Sequence, residues 1–319
     1  MKRRSLISIV LVVLATLAAC EKDKGPKGSG DLSASDKELF KYLPPNATAL
    51  FGGNYMKLQH FMTSQLGKMT AAAMEKLGPG MTEWMSCFTE LKNLALGGSA
   101  EVKGKGVELR MVFTGAKLDD IKKCADRASF TSTVDPDGKF IGIELPAPAG
   151  LQGYLVLPGG ALYTRQSMII SAVPVVTPAA RSELEADIAA VAKSNAIGDT
   201  KLQALVAKVD RSKTVWFAGT GANTPISDKL GEVYGSFDIA SGLAADVTIQ
   251  ITDHDLVSKL EDGVKEMKKM SDQLPGEFKS VIEGLQFSRS GDHVRFAIVI
   301  SESQFAGIMK QANMFGGMR

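Results

Sequence analysis

The stretch LALGGSAEVKGKGVELRMVF, Leu94 to Phe113, reads as a β-hairpin. Two runs, Leu94–Val102 and Val107–Phe113, flank the turn Lys103-Gly104-Lys105-Gly106. In the second run Val107, Leu109, Met111 and Phe113 recur at every second position, so all four share one face of a strand. Outward from this hairpin the same kind of signal repeats. Leu118–Arg127 reads as a helix. Phe130–Val134 and Phe140–Leu145 form a second hairpin around Asp135-Pro136-Asp137-Gly138, a strong turn signal. Gly153–Leu157 and Ala161–Arg165 flank Pro158-Gly159-Gly160, and Met168–Ala172 is expected as a further strand. On the N-terminal side, Ser35-Asp36-Lys37-Glu38 has the Ser-x-x-Glu form of a capping box before Leu39, Phe40 and Leu43. Thr48–Gly53 reads as a strand. Residues 57–77 read as helical, with Phe61, Met62, Leu66, Met69, Ala73 and Leu77 on one face.

After a polar, Ala-rich helix over about Pro178 to Ser194, the order returns. Leu50-Phe51-Gly52 has a counterpart in Trp216-Phe217-Ala218, and Gly98-Ser99-Ala100-Glu101-Val102 in Gly235-Ser236-Phe237-Asp238-Ile239. Each is followed by a Gly turn, an alternating strand and a helix opening on acidic residues. In the second half the strand carries Val247, Ile249 and Ile251. The helix is capped by Thr252-Asp253-His254-Asp255 and bears the stripe Leu256, Leu260, Val264, Met267 and Leu274. Asp137-Gly138-Lys139-Phe140 matches Ser290-Gly291-Asp292-His293 as a hairpin turn, and Phe305 to Met314 reads as a last helix. The expected fold class is therefore α+β: two related units, each an antiparallel sheet packed with helices, arising by internal duplication. Their bounds are 35–175 and 199–319, joined by a connecting helix over 176–198. A repeat this long, in two copies, does not make a solenoid.

Residues 1–19 have the form of an export leader. Lys2, Arg3 and Arg4 precede an apolar run from Leu6 to Leu17, too short to span a bilayer comfortably. The run ends in Leu17-Ala18-Ala19-Cys20, and on these residues the N-terminus resembles a bacterial lipoprotein precursor. The resemblance implies cleavage between Ala19 and Cys20 and acylation of Cys20 through its thiolate and its new amino group. Two or more acyl chains anchor a protein stably where one does not. Glu21, where an Asp would favour retention in the inner membrane, favours the outer membrane, with the body expected in the periplasm and exposure at the cell surface as the alternative. Residues 20–34 hold the anchor and the polar tether EKDKGPKGSGDLSA, which has no apolar period to support a core. Beyond the leader the sequence resembles uncharacterised Gram-negative lipoproteins with duplicated α+β domains, which carries no functional residue over except Cys20.

The leader also accounts for the charge. The chain of 319 residues has 37 Lys and Arg against 35 Asp and Glu, and three of the basic residues lie in the first four positions. The rest is near neutral, which excludes a strongly basic nucleic-acid binder. Hydrophobic residues at 45% exclude a disordered chain.

Of three cysteines, Cys20 is assigned to the lipid, leaving Cys87 and Cys124. In an exported protein such a pair is expected as a disulfide. His60, His254 and His293 are scattered and show no ligand spacing with a cysteine, so no metal site is expected. The phosphate-loop pattern fails at Gly98 to Lys105, which has one residue too many between its glycines and Gly106 after its lysine. Gly219-Thr220-Gly221 lacks the third glycine of a dinucleotide turn, where Thr224 stands. There is no nucleophile elbow and no metalloprotease helix. Asp119-Asp120 and Asp253/Asp255 could serve as acids but sit at helix starts, where they complement the dipole. Met56, Met62, Met69, Met74, Met81 and Met85 cluster in one region. Core packing, a groove for apolar ligands or a soft copper site would each use them.

No catalytic residue and no cofactor is expected. The reading is a lipid-anchored, non-catalytic envelope protein, a binding or structural module held to the membrane through acylated Cys20. The alternatives are a periplasmic carrier or chaperone for lipids or apolar peptides, and an enzyme with a site dispersed in sequence.

Overall fold

The computed structural model describes residues 30–308, apart from 31, 45–46, 64–77, 92–93, 104–105, 147–149, 159, 170–174, 193–199, 222–228, 241 and 275. The leader, Cys20, most of the tether and the chain beyond 308 lie outside the described residues. So does the 64–77 portion of the expected helix, with Leu66, Met69, Ala73, Met74 and Leu77.

The strands are β1 Ala49–Gly53, β2 Ala95–Lys103, β3 Gly106–Thr114, β4 Thr131–Val134, β5 Phe140–Glu144, β6 Leu151–Leu157 and β7 Ala161–Ile169. They continue with β8 Val175–Pro178, β9 Val215–Thr220, β10 Leu230–Asp238, β11 Gly242–Ile251, β12 Gln286–Ser290 and β13 His293–Ser301. The helices are α1 Ala34–Phe40, α2 Tyr55–Thr63, α3 Met81–Glu90, α4 Leu118–Arg127, α5 Arg181–Val191, α6 Thr200–Ala207, α7 His254–Met270 and α8 Gly276–Gly284, with a last turn of helix over 302–308.

The fold class is α+β with antiparallel pairing, and the strands form one sheet. Its order is β12-β13-β11-β10-β9-β1-β2-β3-β7-β6-β5-β4, with β8 on the end of β7 beyond β6. The halves meet at the antiparallel pair β1–β9. About that pair they mirror each other. Phe51 stands opposite Gly98 as Phe217 stands opposite Gly235, and β7–β6 flanks β3 as β13–β12 flanks β11. The hairpin beside β3 is thus β6–β7, and the β4–β5 hairpin that matched β12–β13 by its turn forms the outer edge instead. Length explains this: β7 mates eight consecutive residues of β3, from Gly106 to Phe113, which neither four-residue β4 nor five-residue β5 could do.

One face of the sheet, the inner face, is covered by α1, α5 and α6. Leu39, Phe40, Leu184, Leu202 and Leu205 pack there on Leu50, Val112, Tyr163 and Trp216. The opposite face carries two separate cores. Near β5–β7, α3 and α4 bury Trp84, Cys87, Ile121 and Cys124 on Ile141, Ile143 and Leu162. Near β11–β13, Val257 of α7 and partly buried Leu260, Val264 and Val281 pack on Val247, Val294, Phe296 and Ile298.

Local chemistry departs from expectation at four points. The cap of α1 is Ser33, whose hydroxyl accepts from Asp36 N while the Asp36 carboxylate accepts from Ser33 N. The expected Ser35–Glu38 box lies two residues too late, because Asp at the third position serves as well as Glu. The expected strand Met168–Ala172 begins inside β7, which runs on to Ile169, and 170–172 lie outside the described residues. The connecting helix is shorter than expected: Pro178 closes β8, and α5 starts at Arg181. Finally, α7 stops at Met270, a 3-10 turn follows at Ser271–Gln273, and Leu274 is exposed rather than part of the stripe.

Candidate functional site

The hairpin β2–β3 carries its polarity inside out. Alternation puts Ser99 and Glu101 of β2 and Glu108, Arg110 and Val112 of β3 on one face, since Ser99 pairs with Arg110 and Glu101 with Glu108. That is the inner face, under α1 and α5. Val102, Val107, Leu109 and Met111 point the other way, and all four are only half-buried. A strand with one buried face ordinarily turns its apolar residues inward. Here the charges are inside and the apolar side chains are on the more open side.

The charges bond to one another, although the buried Arg165 Nε has no hydrogen-bond partner among the described residues. Arg110, 4% exposed, donates from Nε to Asp187 of α5 (3.2 Å), from Nη1 to Glu101 (3.3 Å) and from Nη2 to Glu108 (2.9 Å). Arg165 of β7 donates from Nη2 to Glu108 (2.8 Å) and from Nη1 to Asp187 (3.3 Å), and Tyr163 Oη donates to Asp187 (2.8 Å). Lys103 reaches Glu108 at 2.8 Å from the rim. Three carboxylates therefore face two guanidiniums and an ammonium, the condition under which charges tolerate burial. Burial alone would raise the Glu108 carboxyl. Hydrogen bonds from Lys103 and Arg165 and the nearby arginine charges outweigh it and hold Glu108 below the usual carboxylate range. Burial, reinforced by the Asp187 charge, pushes the Tyr163 phenol far up, so it stays a hydrogen-bond donor. Arg110, Arg165 and Tyr163 converge on Asp187 and pin α5 to the sheet.

The apolar side forms a strip across β1, β2 and β3, between the two cores of the outer face. One ladder row runs Phe217, Phe51, Gly98, Met111, Thr164 on β9, β1, β2, β3 and β7. The next runs Ala49, Ala100, Leu109, Gln166, and the next Val102, Val107, Met168. Gly98 must be glycine: a Cβ there would lie 2.3 Å from both the Phe51 ring and the Arg110 carbonyl. The missing side chain lets the Phe51 ring lie across the strand. Phe51, Val102, Val107, Leu109 and Met111 belong to none of the three cores. At the β7 border the Thr164 hydroxyl is fully buried and has no hydrogen-bond partner among the described residues.

The residues singled out from the sequence fall elsewhere. Cys87 and Cys124 form a disulfide with Cα atoms 5.3 Å apart, joining α3 to α4. Asp119 and Asp120 sit in the first turn of α4, where Asp120 accepts from Lys117 N. Asp253 caps α7 by accepting from Leu256 N and also binds Lys229. His254 Nδ1 lies 3.1 Å from an Arg289 nitrogen, and His293 lies 3.9 Å from Glu232. Of the methionine group, Met56 is 64% exposed, while Met81 and Met85 pack against the disulfide core. The Met62 side chain, Met69 and Met74 lie outside the described residues, as does Thr224. Among the described residues no group of three His, Cys, Asp or Glu is placed to hold a metal. None of their helices is long and apolar enough to cross a membrane.

No family model matches the sequence, and no curated protein matches it. Among solved structures it is similar to crystal form III of TP0453, with a TM-score of 0.42 and 9% identity over 86% of this chain and 98% of that one. Crystal form I of TP0453 gives a TM-score of 0.39 and 10% identity over 89% and 98%. At these values the likeness carries no functional inference.

The strip escaped the sequence reading although its residues did not. The period of two puts Val107, Leu109 and Met111 on one face, but it does not say which face the helices cover. The signal that could have found it is Glu108 and Arg110 between them, opposite Glu101: complementary charges in register can be buried together.

Proposed function

We propose that this protein is a lipid-anchored, non-catalytic binding module of the bacterial envelope, and that the apolar strip on β1–β3 is its binding surface. The observation that carries the reading is the inverted hairpin. Placing Leu109 and Met111 on the more open side while burying Glu101 and Arg110, with Glu108 half-buried beside them, forgoes the usual hydrophobic gain at these positions. Selection for folding alone would place them the other way, and a surface for an apolar partner accounts for the exchange. The described ionic groups of the inner face are spent on one another, which favours binding over turnover. The leader and Leu17-Ala18-Ala19-Cys20 support anchoring through Cys20 to the outer membrane, with the body in the periplasm.

Two measurements test the reading. Radiolabelled palmitate fed to cells should enter the chain and be lost in Cys20→Ser; incorporation that survives the substitution overturns the anchor. The purified full chain should bind anilinonaphthalene sulfonate saturably, and Met111→Asp should abolish that binding with the circular dichroism unchanged. Undiminished dye binding in Met111→Asp overturns the strip as binding surface.

A further inference from the structure

We infer that the outward faces of α1 and α6 form a second contact with the membrane, a basic patch that docks on the anionic phospholipid headgroups of the leaflet holding the anchor. The inference rests on the reading of Cys20 as that anchor, which says where the leaflet lies. Three observations carry it. First, the inner helical layer is split by charge. Leu39 and Phe40 of α1 and Leu202, Leu205 and Val206 of α6 point into the inner core. Away from it stand Lys37 and Lys41, four positions apart, and Lys201 and Lys208, seven apart, so each pair shares one helix face. All four are exposed. Over residues 36–41 and 200–213 there are six basic residues against three acidic ones. Neighbouring α5 is the reverse, with three acidic residues against one basic over Arg181–Val191 and with Glu183 and Glu185 exposed.

Second, these charges are within reach of a headgroup. Lys41 pairs with Glu38 on its own helix and Lys208 with Glu232 at 3.1 Å, yet both lysine side chains stay 46% exposed. Pairs this open to water are weak, and a lipid phosphate competes with them on even terms. Third, the chain enters the fold beside the patch. Gly30 O accepts from Arg211 Nη2 (2.9 Å), and Arg211 also pairs with Asp36 of α1. Arg211 thus joins the end of α6 to the start of α1 at the point of entry, where Leu32 packs on the inner core. Cys20 stands ten residues before Gly30, so acyl chains on it hold this point within about 35 Å of the headgroups. A lysine feels an anionic surface only within about 8–10 Å in physiological salt. The short leash keeps the patch near that range and makes a weak second contact effectively intramolecular. Because α1 and α6 cover the inner face, docking turns the β1–β3 strip away from the leaflet, and a partner of the strip reaches it from the aqueous side.

The full lipidated chain is placed in vesicles of phosphatidylcholine alone, or of equal parts phosphatidylcholine and phosphatidylglycerol, each with a nitroxide-headgroup lipid that quenches at contact range. A fluorophore is carried on Ala204→Cys, exposed on α6, or on Ser258→Cys, exposed on α7 at the opposite face of the sheet. The Ala204 site should be quenched in the mixed vesicles and not in phosphatidylcholine alone. It should be released at about 1 M salt, where the Debye length falls to about 3 Å. The Ser258 site should stay unquenched throughout. Lys37→Gln, Lys41→Gln, Lys201→Gln and Lys208→Gln combined should bring the Ala204 site to its phosphatidylcholine level with the circular dichroism unchanged, and Lys→Arg at the same four positions should keep it quenched. Quenching of the Ala204 site that is absent, equal in both vesicles or unaffected by the four Gln substitutions overturns the patch. Equal quenching of the two sites overturns it as well, because the body then has no preferred side toward the leaflet. The anchor has a separate readout: the chain should float with the vesicles at about 1 M salt. A chain that leaves them there overturns the anchor, and the quenching at low salt still decides the patch.

Discussion

Arg110 shows how much one side chain can hold in place. It links three carboxylates drawn from β2, β3 and α5, and its own charge is almost fully removed from water. Arg110→Ala would leave Glu101, Glu108 and Asp187 short of a partner, and breaking a buried pair from one side costs about 3–5 kcal/mol. Chemical denaturation should show that loss, with a slope unchanged from wild type; a loss below about 1 kcal/mol would mean water already reaches the cluster. Glu108 adds a pH dependence. Its folded-state pKa lies below the ordinary value, so the unfolded chain binds its proton more readily. The stabilisation is complete above the unfolded carboxylate range, about pH 4.3, and is lost as the pH falls through the folded value. Glu108→Gln should flatten the acid limb of a stability–pH curve, and an identical limb in the variant would show that another carboxylate controls it. Residues of this scale were unevenly legible. Asp119, Asp120 and Asp253 were placed at helix starts because capping is a local matter. The Arg110 cluster was not legible, because its members stand up to 86 positions apart, from Glu101 to Asp187, and only pairing register brings them together.

Elements were read well where their signal is local and less well where tertiary packing sets their ends. The Asp135–Gly138 turn is a case of the first: the Gly138 and Lys139 amides close onto Asp135 as the turn signal predicts. Pro178 is a case of the second, since it closes β8 against β7 instead of opening the following helix. The pair α3–α4 depends on a covalent tie. The two helices share a core with Trp84, Phe130 and Ile121, and the Cys87–Cys124 bridge spans 37 positions. In the chain-entropy account a loop of this length contributes about 4 kcal/mol. Reduction, or Cys87→Ser with Cys124→Ser, should therefore lower stability by about that amount. Amide exchange should quicken first in α3, α4 and β4–β5, ahead of β10–β13, because the bridge lies wholly within the first half. Uniform quickening across both halves would contradict the local account and point to the sheet as the unit that opens.

At the scale of the whole molecule the decisive feature is the β1–β9 joint, and the sequence did not reveal it. The recurrence of Leu50-Phe51-Gly52 in Trp216-Phe217-Ala218 was legible, but not that these two copies lie side by side at the centre of one sheet. Gly52 stands opposite Trp216, and a Cβ on Gly52 would lie 2.7 Å from the indole, so the ring packs directly over β1. Phe40 of α1 meets the same indole edge-on at 5.7 Å. The inner core thus takes side chains from both halves and binds them through the joint. A sheet built this way has no natural seam, and disrupting either half exposes the edge of the other. The two tryptophans make this measurable, since Trp84 lies in the disulfide core and Trp216 at the joint. Trp84→Phe and Trp216→Phe each leave one reporter. Cooperative unfolding requires different probes to give coincident transitions. The two variants differ in stability, so each fluorescence curve is compared with the circular dichroism curve of the same variant. Coincidence in both is the expected outcome. If the Trp84 signal instead falls at lower denaturant than the circular dichroism of the same protein, α3–α4 and the β4–β6 edge open as a separate unit, and the joint couples only the strands beside it.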